Sequence, residues 1–99
     1  MKHNILILGS TGKLGDKLFK YCVKHNIYNL TITAYKNKKK LNKQKNILKN
    51  KNYFCLNNEF ERFEFLKLIK HKKFKIIYFL DYGAQSLVYI DLLIKNNIN

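Results

Sequence analysis

A chain of 99 residues with 20 Lys or Arg against 6 Asp or Glu, net charge +14, has room for one small domain. Its 46% hydrophobic content excludes a disordered chain, and no apolar run approaches the ~20 residues of a membrane helix. The charge suits a polyanion, but Lys and Asn are heavily used along the whole length and Arg occurs once, at Arg62, whereas bidentate readout of nucleic acid favours arginine. The positive balance is therefore read as compositional drift rather than a nucleic-acid surface, with one local exception described below.

The opening residues Met1-Lys2-His3 lead straight into Ile5-Leu6-Ile7-Leu8, a β-branched apolar run too short for a helix, which predicts a buried first strand with no leader peptide. Gly9, Gly12 and Gly15 follow at the spacing G-x-x-G-x-x-G, one residue off the dinucleotide fingerprint. A glycine turn from strand to helix gathers backbone N–H groups and the positive end of a helix dipole, which suits a phosphate. Ser10 and Thr11 add two hydroxyls there. A helix is predicted from Lys13 to His25, with Leu14, Leu18, Phe19, Cys22 and Val23 inward and Asp16 near the dipole's positive end; Asn26 is its stop signal.

The second strand is Leu30 to Ala34, which a right-handed crossover places beside the first. The residues after it therefore approach a ribose bound at the turn. Where an NAD site carries an acid, this chain has Tyr35, Lys36, Asn37 and then Lys38, Lys39 and Lys40. Cations there attract a 2′-phosphate, so the loop reads as one for NADP rather than NAD. A plain solvated lysine run is the alternative.

A weak helix is expected over Lys38 to Lys49, anchored by Leu41, Ile47 and Leu48, and a third strand over Lys51 to Leu56. Asn57-Asn58 is a turn or helix cap. A helix from Glu59 to Lys70 is expected to turn Phe60, Phe63, Phe65 or Leu66, and Leu68 or Ile69 inward. Phe74 to Leu80 is apolar enough for a central strand buried on both faces, followed by Asp81-Tyr82-Gly83-Ala84 in the same crevice as the first glycine turn. Ser86 to Ile98 closes the chain as a helix with Leu87, Ile90, Leu93 or Ile94, and Ile98 on one face. The alternation predicts a single three-layer, Rossmann-like α/β domain: a parallel sheet of about four strands with helices on both faces. Its small core implies a fragment of a longer protein or a dimer that completes the sheet.

Cys22 and Cys55 are read as buried reduced thiols in a cytoplasmic protein with no membrane partner. His3, His25 and His71 are dispersed surface residues. The six acids form no oxygen-ligand cluster, and no catalytic triad or dyad is legible, so neither catalytic nor metal residues are assigned.

Three stretches resemble the N-terminal cofactor domain of 1-deoxy-D-xylulose 5-phosphate reductoisomerase. ILGSTGKLG, from Ile7 to Gly15, looks like that family's ILGSTGSIG, with Lys13 in place of serine. TAYKNKKKL, from Thr33 to Leu41, is similar to its stretch after the second strand, where a small residue precedes Lys-Asn. YGAQSL, from Tyr82 to Leu87, resembles its VGAAGL. The resemblance implies that Ser10, Thr11, Gly12, Lys13 and Leu14 hold the NADPH pyrophosphate, that Tyr35, Lys36 and Asn37 bind the 2′-phosphate ribose, and that Gly83 and Ala84 lie near the nicotinamide. It further implies an isoprenoid-precursor enzyme that uses NADPH and Mg or Mn, whose metal and substrate residues belong to a catalytic domain missing from this sequence, so that this chain is inactive alone. The reading from a different class is a non-catalytic Rossmann remnant or regulatory domain that binds a nucleotide, a partner subunit or RNA.

Overall fold

The computed structural model describes residues 3–25, 28–47, 52–81 and 86–97. The elements alternate as expected: β1 (His3–Leu8), α1 (Lys13–His25), β2 (Tyr28–Ala34), α2 (Lys38–Ile47), β3 (Tyr53–Cys55), α3 (Glu59–His71), β4 (Ile76–Phe79) and α4 (Leu87–Asn97). The four strands form one sheet in the order β3-β2-β1-β4, and every pairing is parallel. This is a small Rossmann-like α/β fold with a helical layer on each face of the sheet.

Strand alternation divides β1 between two cores. Ile5 and Ile7 pack with Phe19 and Cys22 of α1, Leu41 of α2 and the inward side of β2. Leu6 and Leu8 face the opposite layer, with Phe65 and Ile69 of α3 and Tyr89 and Leu93 of α4. These four apolar residues of β1 are buried, each stabilising the fold by about 1.5–3 kcal/mol. α3 starts where Asn58 accepts the Glu61 N–H at 3.0 Å, a side-chain cap that satisfies one orphan donor. The end of α4 is pinned to the α3–β4 connection: the Asn96 amide donates to the carbonyls of Ile69 and Lys72, and Asn97 accepts from Phe74 N.

The strand expected to be central is an edge. β4 pairs with β1 on one side, and no described strand lies on the other, so Ile76 is 36% exposed and the rest of β4 half-buried. An unbroken apolar run marks a strand covered on both faces, which does not fix its place in the sheet.

Several expected core residues also change places. Leu14 is 61% exposed, because α1 turns Gly15 toward the glycine turn instead. Phe60 and Phe63 are 71% and 59% exposed, while Phe65 and Ile69 fill the core. In α2 Ile47 is exposed and Gln44 takes the inward position beside Leu41. In α4 Leu87 and Ile94 are exposed, and Tyr89 and Leu93 are inside. The expectations for Asn26, Leu48, Lys49, Lys51, Tyr82, Gly83, Ala84 and Ile98 lie outside the described residues.

Cys22 and Cys55 are buried free thiols, and His3, His25 and His71 are exposed. Among the described residues, no helix is long and apolar enough to cross a membrane.

Candidate functional site

At the carboxyl ends of β1, β2 and β4 lies an open cavity of about 320 Å³, lined by Gly9, Thr11, Gly12, Tyr35, Lys36, Asn37, Leu80 and Asp81. It joins the two loops singled out from sequence, the glycine turn and the segment after the second strand. Parallel strand order is the cause: β2 runs beside β1 in register, so their ends deliver both loops to one place.

The turn owes its shape to two glycines. Gly9 has φ +98°, a conformation that side chains resist, and a Cβ there would stand 2.9 Å from the backbone of Leu80 and Asp81. Gly15 is buried within α1 against the turn, and a Cβ on it would overlap the Gly9 carbonyl oxygen and the Ser10 backbone. The N–H groups of Gly9 and Ser10 both donate to the Thr33 carbonyl, at 3.1 and 2.8 Å, which ties the turn to β2. The N–H groups of Thr11, Gly12, Lys13, Leu14 and Gly15 have no acceptor among the described residues, and the first bond of α1 runs from Asp16 N to the Gly12 carbonyl. Those of Gly12 to Gly15 are the orphan donors of a helix start, and Gly12 at that start lines the cavity.

Ser10 belongs to the turn but not to the cavity. It is fully buried, and its hydroxyl donates to Gln44 Oε1 at 2.7 Å instead of facing a ligand. Of the two hydroxyl residues expected at the turn, Thr11 lines the cavity and Ser10 does not. Lys13 and Leu14 open α1 beside it with exposed side chains. Gly83 and Ala84 lie outside the described residues, so the cavity covers the turn and the lysine loop only.

The lysines of that loop differ in their surroundings. Lys38 is paired with Glu61 at 3.1 Å, and the hydrogen bond to that carboxylate pushes its pKa up. Lys40 stands 3.9 Å from Asp16. Lys36 lines the cavity and makes no ion pair among the described residues. Asn37 accepts the Lys40 N–H at 3.2 Å and so caps α2. Tyr35 is anchored by its backbone, whose carbonyl accepts from Asn57 N at 2.8 Å.

Asp16 was legible only as a dipole partner, yet it sits in a polar cluster. It accepts from Gln44 Nε2 at 3.0 Å and pairs with Lys20 at 3.0 Å. Burial pushes its carboxyl up, but the bonds from Gln44 and Lys20 and the charges of Lys40 and Lys20 outweigh that and hold it below the ordinary 3.8. A carboxyl lowered by folding stabilises the fold fully above its unfolded value, and that stability is lost as pH falls through the folded value. Asp16→Asn is thus expected to lower the urea midpoint at neutral pH, with the gap to the parent closing as pH drops below 3.8. A gap independent of pH would show that the charge of Asp16 contributes nothing.

Gln44 was missed in sequence because a glutamine in a helix of lysines and asparagines looks solvated. Its spacing of three from Leu41 was the available signal. Among the described residues, no group of three or more His, Cys, Asp or Glu could hold a metal ion. No family model matches the chain, and no curated protein or solved structure does.

Proposed function

We propose that this chain is an NADPH-binding domain of the 1-deoxy-D-xylulose 5-phosphate reductoisomerase type, with the pyrophosphate on the glycine turn and the 2′-phosphate on the loop after β2. The observation that carries the reading is the single cavity bounded by Gly9, Thr11 and Gly12 on one side and Lys36 and Asn37 on the other. Donors and charge are suitably divided within it. The unpaired N–H groups at the start of α1 meet a pyrophosphate without a fixed cation. The Lys36 ammonium meets a terminal phosphate, and an acid that would accept from a free 2′-hydroxyl is absent from residues 35–40. Asn37 keeps its side-chain N–H groups for the ribose while its oxygen caps α2. Bound NADPH supplies a hydride; the role of the described residues is to hold the adenosine end of the cofactor.

Lys36→Glu tests this directly. The substitution replaces an attraction to the 2′-phosphate with a repulsion. It is expected to weaken NADPH binding about thirtyfold and to leave NADH within about threefold, because NADH lacks that phosphate. Equal affinity for NADPH in parent and variant would remove the loop from the site.

A further inference from the structure

We propose that Gln44 is a positioning residue for the phosphate turn: from α2 it clamps the turn at both ends and makes the turn and the lysine loop one unit. The proposal rests on the nucleotide reading above, but its geometry is independent of any ligand. The Gln44 side chain is only 3% exposed, in a helix otherwise rich in lysine and asparagine. Its amide is used in three directions. Nε2 donates to the Ser10 carbonyl at 2.8 Å and to Asp16 Oδ1 at 3.0 Å, and Oε1 accepts the Ser10 hydroxyl at 2.7 Å.

The placement of these partners is the point. Ser10 immediately precedes Thr11, and Asp16 immediately follows Gly15, so Gln44 brackets the run of N–H groups, Thr11 to Gly15, at which a phosphate would sit. Nothing local to the turn supplies this bracket, since the partners are 28 and 34 residues away in sequence. α2 is itself rooted by Leu41 in the core and begins at the Asn37 cap, which lines the cavity. One helix therefore starts in the 2′-phosphate loop and, seven residues on, grips the phosphate turn. Buried amides are costly when unpaired, so a network of this kind holds one geometry or fails as a whole.

The alternative is that Gln44 only fills space beside Leu41. Gln44→Met separates the two, because it keeps length and volume and removes all three bonds. The variant and parent are titrated with NADPH and with adenosine 2′-monophosphate, which reports on the Lys36 loop without a pyrophosphate. In a variant folded by circular dichroism, NADPH binding is expected to fall about tenfold while adenosine 2′-monophosphate stays within about twofold. A filler would lower both together or neither, and either result overturns the proposal.

Amide hydrogen exchange of Gly9 and Ser10, both bonded to Thr33, supplies a reading that needs no ligand. Exchange there is expected to quicken about tenfold beyond any change at Ile5 and Ile7. If the parent binds neither ligand, the nucleotide reading fails and this exchange decides the clamp alone, with unchanged protection overturning it. If Gln44→Met does not fold, Ser10→Ala removes one of the three bonds and is expected to give the same pattern at about threefold, and its absence overturns the proposal.

Discussion

Gly15→Ala is expected to destabilise the chain by about 3 kcal/mol and to remove ligand binding at the cavity with it. The sign is what makes this substitution informative. Within a helix, alanine is normally favoured over glycine by about 1 kcal/mol. Here the added methyl meets the Gly9 carbonyl oxygen and the Ser10 backbone, and no rotamer can carry it away. Either α1 moves off the turn or the turn leaves Thr33, and both disturb the N–H groups at the start of α1. Urea denaturation and an NADPH titration check the two halves of the effect. A rise in stability would mean that α1 does not pack on the turn.

Phe65→Ala is the second large effect, expected at about 3–5 kcal/mol, against changes within about 0.5 kcal/mol for Phe60→Ala and Phe63→Ala. Phe65 has no exposed surface, and its ring lies 5.4 Å from that of Phe54 and 5.3 Å from that of Tyr89, so its loss leaves a cavity joining α3, α4 and the sheet. Phe60 and Phe63 are largely in solvent, and the Lys67 ammonium lies over the Phe63 ring at 5.6 Å. Thermal or urea unfolding of the three variants separates them. A Phe63→Ala loss as large as that of Phe65→Ala would reverse the assigned face of α3.

That contrast also shows where the sequence was readable. Element order, parallel pairing and the placement of the glycine turn beside the Tyr35 to Asn37 loop follow from alternation and crossover geometry, which are visible in residue type and spacing. The span Lys13–His25 is predicted at its observed ends because a glycine turn starts it and a clean stripe of Phe19 and Cys22 continues it. α3 has no such stripe. Phe60, Phe63, Phe65, Leu66, Leu68 and Ile69 surround the helix, so periodicity leaves the inward face open and the Asn58 cap and contacts with α4 decide it. α4 misleads for the same reason.

At the site, the polar residues on the cavity wall were legible, whereas the support behind them was not. Lys36 and Asn37 directly follow the second strand, and that position brings them to the cavity wall. Ser10 resembles a ligand donor until the structure supplies Gln44, which takes its hydroxyl. A hydrogen bond between residues 34 positions apart leaves no trace in local spacing. The edge position of β4 is likewise a property of what pairs with it, not of its own apolar residues.

The most direct test of the nucleotide reading is a titration of the purified chain with NADPH and, separately, NADH, followed by the fluorescence of the bound nicotinamide. Saturable binding that prefers NADPH by about tenfold or more is the predicted result, since one unpaired lysine on a terminal phosphate is worth about that much. Equal affinity for the two cofactors, or none for either in a chain folded by circular dichroism, would contradict it.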